Sequence, residues 1–427
     1  MDKIKNYFSS ERFMEQMQRL RLAVFTLLKW LPCSAIIGVL LGLVGTFFYI
    51  GLSYVTSFRE ANPNMLLLLP LIGLIIVFIY RVSGNAANTG TNLVITAIQS
   101  NDEVPVRVAP LMIISTLLTH LCGGSAGREG AALQVGGSIG NFIARLLHFD
   151  DKDTRIMIMC GMSACFSALF GTPIAAAIFS MEVISVGVMY YAALVPCVLS
   201  SFIAEGIARH FGITGTRFSV ADIPQLSALT GGKAVILGIT FAVASILLCL
   251  ALHSSSKLYS RFFKNTYVRI LIAGLLVIAL RYIFGTTDFL GAGTGVIAKS
   301  FVESCAWYTF LLKMLFTAVT LGGGYKGGEI VPTLFIGATL GSFIAPIIGL
   351  PTGLCAACGM VSVFCGVTNC PLTSFLLAVE MFGTGSIKYC MICIALSYLL
   401  SGYYSLYNSQ KIIYSKYKTT YINRQSS

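Results

Sequence analysis

The chain has 427 residues, of which 56% are hydrophobic and 11% are charged, whereas a soluble domain carries about 25% charged residues. Several stretches lack Asp, Glu, Lys and Arg for longer than the ~20 residues that an α-helix needs to cross a bilayer, so we expect an all-α polytopic membrane protein. The net charge of +12 comes without a nucleic-acid-binding signature, so nucleic acid is not expected as a partner.

Basic residues are concentrated at both ends of the chain. Because cytoplasmic segments carry an excess of Lys and Arg, we expect both termini in the cytoplasm and the chain in the plasma (inner) membrane. Residues 1–30 are predicted to form an amphipathic helix along the cytoplasmic surface. The terminal basic residues are Lys3, Lys5, Arg12, Arg19, Arg21 and Lys29, and Lys411, Lys416, Lys418 and Arg424.

A glycine-rich segment, GGSAGREGAALQVGGSIG, spans residues 123–140 and contains the neighbouring charges Arg128 and Glu129. An ionisable group at bilayer depth costs about 3 kcal/mol or more unless it has a partner, which makes Glu129 a functional candidate. Ionised, its carboxylate would occupy the place of an anion; protonated, it would swing out. The structural alternative is a carboxylate that caps a helix.

The chain contains an internal duplication. GGSIGNFIA (136–144) matches GATLGSFIA (337–345), and Pro173 and Glu182 recur as Pro371 and Glu380. This pattern predicts two inverted repeats, over residues 31–208 and 233–408, joined by a linker at 209–232. Glu182 and Glu380 are interpreted as structural partners at helix ends.

The stretch 330–379 has no charged residue, yet Pro332, Pro346, Pro351 and Pro371 interrupt it. We expect short helices joined by non-helical backbone, which survives at membrane depth only inside protein or beside a polar cavity. The free N–H groups at such helix starts attract anions. The repeat alignment sets the glycine-rich breaks 123–130 and 322–332 against each other, which predicts an anion site between them.

Four motifs, in order, resemble those of the CLC family of anion channels and anion/proton antiporters. The resemblance covers residues 33–418 and implies a fold of tilted, broken and re-entrant helices. The motifs are GTNLVI (90–95), the GREG segment with the family's gating glutamate at Glu129, GGYKGGEIVPTLFIGATLG (323–341) and KIIYS (411–415).

The family resemblance implies a homodimer with one pore per subunit. It places a central anion between the hydroxyls of Thr91 and Tyr414 and the amides of Glu329 and Ile330, with Tyr414 on a C-terminal pore-lining helix within residues 409–427. The other residues expected to line the anion path are Gly90, Asn92, Gly130, Gly328 and Val331.

Two departures from the family pattern concern proton transfer and ion choice. The position where the exchangers carry an internal proton-transfer glutamate holds Val183, and a carboxylate stands instead at Glu329. Glu329 and the sequence Gly90-Thr91-Asn92-Leu93 resemble the fluoride-exporting clade, whereas Val331 stands where threonine is expected there. Fluoride and chloride therefore both stay open.

The sequence predicts exchange of a halide for a proton, with Glu129 and Glu329 as the gating and proton-coupling groups. The alternative is a passive voltage- or pH-gated chloride channel, in which Glu129 only gates. We find no catalytic constellation, and the thirteen cysteines lack metal-ligand spacing, so neither an enzyme nor a cofactor or metal site is expected.

Overall fold

A computed structural model describes residues 10–84, 90–100 and 102–426, so residues 1–9 of the predicted surface helix lie outside the described residues. The first half of the described chain contains helices α1 (Ser10–Ala61), α2 (Leu69–Val82), α3 (Thr91–Ser100), α4 (Val108–Leu121), α5 (Glu129–Leu146), α6 (Asp151–Phe170), α7 (Pro173–Glu182) and α8 (Leu194–His210). The second half contains α9 (Ala228–Phe262), α10 (Thr266–Phe284), α11 (Thr294–Ser300), α12 (Thr309–Gly322), α13 (Ile330–Ile348), α14 (Thr352–Thr368), α15 (Pro371–Phe382) and α16 (Ile387–Leu400).

The eight helices described in each half correspond one to one, as the duplication predicts. Helices α4 and α12 both have 14 residues and begin 201 residues apart (309 − 108). Helices α5 and α13 begin at the same offset (330 − 129), and α7 and α15 begin 198 residues apart (371 − 173). The helical segments therefore follow the sequence repeat closely.

The two repeats are inverted relative to each other. The Glu182 carboxylate, at the end of α7, accepts hydrogen bonds from the amides of Leu372 and Thr373 at the start of α15 (3.0 and 2.8 Å). The Glu380 carboxylate, near the end of α15, accepts from the amides of Ile174 and Ala175 at the start of α7 (2.9 and 2.8 Å). Each helix thus ends at the other's start, so α7 and α15 run antiparallel around a local two-fold axis.

Helix lengths show a multi-pass membrane protein with interrupted helices. Seven helical segments of the described chain are long and apolar enough to cross a bilayer. Helices α3, α7 and α11 have only 10, 10 and 7 residues, well below the ~20 needed to span it. The seven segments are Phe13–Ala61, Pro63–Val82, Asp151–Phe170, Tyr191–His210, Ala228–Phe262, Thr266–Phe284 and Ile330–Ile348.

Glycines allow the central helices to pack backbone against backbone. A Cβ atom on Gly136 of α5 would lie 2.1 Å from the carbonyl oxygen of Gly161 in α6. The equivalent distance in the second repeat, from Gly337 of α13 to the Gly359 oxygen in α14, is 2.2 Å. Small residues permit this close approach in membrane proteins, and it fixes the starts of α5 and α13 in the protein interior.

The predicted boundary between a surface helix and the first repeat at residues 30 and 31 is wrong. Helix α1 is continuous over 52 residues and passes through Pro32, which corresponds to about 78 Å. Residues 10–31 contain neither Gly nor Pro, and a single proline removes only one intrahelical donor, which transmembrane helices tolerate.

The linker is shorter than the predicted range 209–232. Helix α8 continues to His210, and α9 already begins at Ala228. Its start is set by a capping box, in which the Ser227 hydroxyl accepts from the Thr230 amide and the Thr230 hydroxyl accepts from the Ser227 amide. The non-helical linker is therefore 211–227.

The predicted C-terminal pore-lining helix is also wrong. The segment forms strands β2 (Lys411–Tyr414) and β3 (Tyr421–Gln425), which pair antiparallel, and β2 pairs in parallel with β1 (Ser185–Val186). Isoleucine and tyrosine favour strands. The backbone after α7 offers β2 a pairing edge, which no local helical pattern reveals.

Candidate anion site

The two glycine-rich breaks meet at the centre of the protein. The Gly127 amide donates to the Gly328 oxygen and the Gly328 amide donates to the Gly127 oxygen, both at 2.7 Å. This antiparallel bridge holds the start of α5, at Glu129, beside the start of α13, at Ile330. The predicted apposition of the two breaks is therefore confirmed.

Three helix starts converge on Gly130. A Cβ atom placed there would lie 2.8 Å from Oε2 of Glu329, 3.0 Å from Cα of Gly328 and 3.4 Å from the hydroxyl of Thr91, the first residue of α3. The Thr91 hydroxyl donates to the Gly130 oxygen at 3.4 Å. Helix starts carry free N–H groups and partial positive charge, so this arrangement suits a dehydrated anion.

Glu129 is fully buried in the first turn of α5. Its Oε2 accepts from the Arg128 amide at 3.1 Å, and its Oε1 lies 3.3 Å from Arg128 Nε. The carboxylate therefore uses hydrogen-bond donors at a helix start, the same kind of donor that an anion would use.

Arg128 is anchored away from the centre of the site. Its guanidinium donates to the Leu169 oxygen at 3.3 Å and stacks over the Tyr49 ring at 4.4 Å. These contacts indicate a structural role for Arg128. They also hold in place the cation that pairs with Glu129.

Glu329 precedes the first residue of α13 and its side chain does not cap that helix. Its Oε2 is buried without a hydrogen-bond partner among the described residues. Buried polar atoms are nearly always paired. An unpaired carboxylate oxygen 2.8 Å from the Cβ position of Gly130 thus marks a group that needs a proton, an ion or water.

A cavity of about 330 Å³ lies against Glu129. Its walls include Tyr49 and Thr56 of α1, Phe218 of the linker and Val331 of α13. The predicted site residue Val331 is buried and stands here, beside the Gly127 backbone. The cavity gives the Glu129 side chain a space next to the site, on the side of the linker.

The structure does not place Tyr414 in the site, so this predicted residue is corrected. Tyr414 belongs to β2, is 47% exposed, and its ring contacts Tyr421. The buried hydroxyl is instead that of Tyr407, which is 1% exposed, has no hydrogen-bond partner among the described residues and lies near enough to Glu329 and Glu129 for their charges to act on it. The motif match selected the wrong tyrosine because the C-terminal segment is a strand.

Two amide side chains near the site have contacts that the sequence did not predict. Asn92, predicted to bind the anion, has its Oδ1 3.0 Å from the Ser409 amide, so it ties α3 to the C-terminal segment. Gln134, which sequence analysis overlooked, donates to the Gly130 oxygen at 3.4 Å, and its Oε1 is buried without a described partner. Its position one helical turn after Gly130 was the available signal.

Two other residues predicted to line the anion path lie at helix starts. Gly90 precedes α3 with a φ of +71°, which favours glycine, and Ile330 is buried as the first residue of α13. Val183 is buried, and its oxygen accepts from Gln410. No group of three or more His, Cys, Asp or Glu side chains that could hold a metal occurs within the described ranges.

Comparison with known proteins identifies the family. The family described as voltage-gated chloride channel matches residues 72–402. A protein of Pseudomonas syringae pv. tomato called chloride/fluoride channel protein is 34% identical over 396 residues, covering 91% of this chain and 88% of its own length. The H⁺/Cl⁻ exchange transporter ClcA of Vibrio cholerae is 27% identical over 384 residues, covering 82% and 81%.

Solved structures agree with this assignment. A CLC-type fluoride/proton antiporter superimposes with a TM-score of 0.88 at 34% identity, covering 91% of this chain and 99% of the other. A slow cyanobacterial Cl⁻/H⁺ antiporter shares the fold, with a TM-score of 0.75 at 18% identity over 87% and 94% of the two chains. The chain therefore belongs to the CLC family of voltage-gated chloride channels and related transporters.

Proposed function

We propose that this protein exchanges a halide ion for a proton across the membrane. The observation that carries the proposal is the pair of carboxylates at the adjoining starts of α5 and α13: Glu129 is fully buried, and Glu329 has a buried Oε2. A purely passive pore needs helix dipoles and N–H donors but no second buried carboxylate. Similarity to proteins described as H⁺/Cl⁻ and fluoride/proton antiporters supports the same reading.

Competition for the same donors explains the coupling. Ionised Glu129 holds the Arg128 amide at the start of α5, and protonation removes the charge that keeps it there. The side chain is then free to move into the adjoining cavity, which leaves the helix starts to the halide. Glu329, with its unpaired Oε2 on the other side of Gly130, receives or returns the proton. The hydroxyls of Thr91 and Tyr407 complete the anion's surroundings.

Fluoride is the proposed preferred ion, with chloride as the competitor. Fluoride is small and basic, so it favours short hydrogen bonds, and a protonated Glu329 supplies a donor that a chloride site of backbone amides lacks. The 34% identity to proteins described as a chloride/fluoride channel protein and a fluoride/proton antiporter supports this choice.

Proton-coupled flux from proteoliposomes tests the function. With the membrane potential clamped, an outward fluoride gradient should drive protons inward against their own gradient, and chloride should do so more slowly. Glu129→Gln should abolish proton movement because the amide cannot release a proton. The exposed carboxylate Glu15, paired with Arg19 on the surface of α1, provides the control Glu15→Gln, which should keep the wild-type coupling.

Halide flux that leaves the internal pH unchanged in the wild-type protein would favour the passive channel instead. Coupling that persists in Glu129→Gln would leave antiport intact but remove Glu129 from its mechanism. The two results are separable because the first concerns the wild-type protein and the second the variant.

We also propose that the protein is a homodimer of two separate pores, supported by its four family motifs. Light scattering in detergent should then give twice the protein mass of 45.9 kDa; a single mass would contradict the dimer.

A further inference from the structure

An exposed apolar groove lies on the second repeat, next to the end of α12. Helices α9, α10 and α12 enclose a cavity of about 650 Å³. Its walls include Leu258 and Phe262 of α9, Ile272 and Leu276 of α10, and Met314 and Val319 of α12. A hydrocarbon chain fits such walls, because they offer dispersion contacts and almost no hydrogen-bonding groups.

One end of the groove is strongly basic. Phe262 and Phe263 close this end, and it carries Arg261, Lys264 and Arg269. None of the ion pairs found in the described part of the chain involves these three cations. The sequence moreover contains no Asp or Glu between Asp222 and Asp288. The groove end therefore has positive charge that no carboxylate of its own segment balances.

Arg269 lies on α10 before the residues of the groove wall, and its guanidinium is beside Gly324, with Nη2 3.8 Å and Nε 4.0 Å from the Cβ position there. It lies three and seven residues before Ile272 and Leu276, so all three occupy one face of α10. Its Nε is buried without a hydrogen-bond partner among the described residues. A buried guanidinium nitrogen without an acceptor is unfavourable, which indicates that an anionic group from outside the chain completes this end.

A second unpaired polar atom belongs to the groove itself. Tyr259 lines the cavity, is 7% exposed, and its hydroxyl has no partner within the described residues. A buried tyrosine hydroxyl usually finds an acceptor. An ester or phosphate oxygen of a lipid is an acceptor that a plain hydrocarbon cannot offer.

The basic end faces the same side of the membrane as the start of α1. Thr56, near the end of α1, and Thr216 of the linker line one cavity, so α9 begins on the side where α1 ends. Helix α9 has 35 residues, about 52 Å, and crosses the membrane to the opposite face. Its basic end thus lies on the face of the basic N-terminal segment, where anionic lipids are enriched if this face is cytoplasmic.

We propose that this groove binds one anionic glycerophospholipid, with an acyl chain against α9, α10 and α12 and its phosphate at Arg269, Arg261 and Lys264. The site is distinct from the shell of lipids that surrounds any membrane protein, because it combines an open apolar groove with unbalanced charge and unpaired donors at one end. It does not depend on the transport proposal.

Native mass spectrometry of the purified full-length protein tests the site. After equilibration with equal amounts of phosphatidylglycerol and phosphatidylcholine of the same acyl chains, one tightly retained phosphatidylglycerol per chain is expected. Each cation close to an anionic headgroup contributes roughly fivefold to affinity. The double variant Arg261→Gln/Arg269→Gln should therefore lose about twentyfold of the preference for phosphatidylglycerol.

Matched controls separate this site from general surface charge and from misfolding. Arg19→Gln/Arg21→Gln removes the same charge from an exposed part of α1 on the same face and should keep the preference. Ala251→Phe fills the groove and should remove the retained lipid, whereas Leu250→Phe, on the exposed side of α9, should not. If Arg269→Gln does not fold, Arg261→Gln/Lys264→Gln changes only exposed residues and should lower the preference in the same direction. Equal retention of both lipids by the wild-type protein, or an unchanged preference in the charge variants, would overturn the proposal.

Discussion

At the level of single residues, a substitution of Glu329 tests most directly how protons pass the anion site. Its Oε2 is buried and unpaired within the described residues, so Glu329→Gln keeps the shape but removes the proton carrier. We expect proton movement per halide to fall at least tenfold in proteoliposome flux assays. Glu182→Gln, which changes a buried carboxylate that bonds to the start of α15, should retain coupling. Unchanged coupling in Glu329→Gln would give Glu329 only a structural role.

We expect the Tyr407 hydroxyl to bind the halide, and Tyr414 provides a matched control within the same chain. A hydrogen bond to a charged partner contributes about 1.5–3 kcal/mol, so Tyr407→Phe should raise the Kd for the halide about tenfold or more, as measured by calorimetry. Tyr414→Phe alters a half-exposed side chain on β2 and should leave the Kd unchanged. An effect of Tyr414→Phe equal to that of Tyr407→Phe would contradict this assignment.

Some residues of the site can be predicted from the sequence and others cannot. Glu129 and Glu329 stand out because a carboxylate in an apolar, glycine-rich segment has few explanations. Tyr407 and Gln134 do not, since tyrosine and glutamine occur at many depths of a membrane protein for unrelated reasons. Only the positions of Gly130 and α3 make their unpaired polar atoms informative.

At the element scale, the reciprocal caps between α7 and α15 predict a stability effect. Glu182 accepts three hydrogen bonds, from the amides of Leu372 and Thr373 and from the Thr373 hydroxyl, whereas Glu380 accepts two. Removing Glu182 leaves the buried Thr373 amide unpaired, at a cost of about 1–3 kcal/mol, whereas the Ile174 amide that Glu380 caps is more exposed. Glu182→Ala should therefore lower the Tm in detergent more than Glu380→Ala does.

The exposed carboxylate Glu15 is again a suitable reference for this measurement. Glu15→Ala removes only a surface ion pair with Arg19, which contributes little to stability. A Tm for Glu182→Ala no lower than that of Glu15→Ala would show that the caps do not stabilise the contact between the two repeats.

At the scale of the whole molecule, the inverted repeats predict which loops share a membrane face. Gly232, near the start of α9, and Lys264, just after its end, are both exposed. With Cys305, the partly exposed native cysteine, replaced by serine, an impermeant maleimide should label Gly232→Cys on intact cells. Lys264→Cys should react only after permeabilisation. The reverse pattern would place the termini outside the cytoplasm.

The membrane class, the duplication, the two glycine-rich breaks and the carboxylates within them could all be predicted from the chain's residues. These features depend on composition and on local spacing, which the chain carries in full. The paired caps of Glu182 and Glu380 also followed from the repeat.

The continuity of α1, the strand at 411–414 and the choice of Tyr407 over Tyr414 became visible in the folded structure. The strand depends on an edge at Ser185–Val186, more than 200 residues away in the chain. The choice between the two tyrosines depends on the same strand, because Tyr414 within β2 is half-exposed whereas Tyr407, before β2, is buried. Such outcomes result from contacts between distant segments, which local propensity does not encode.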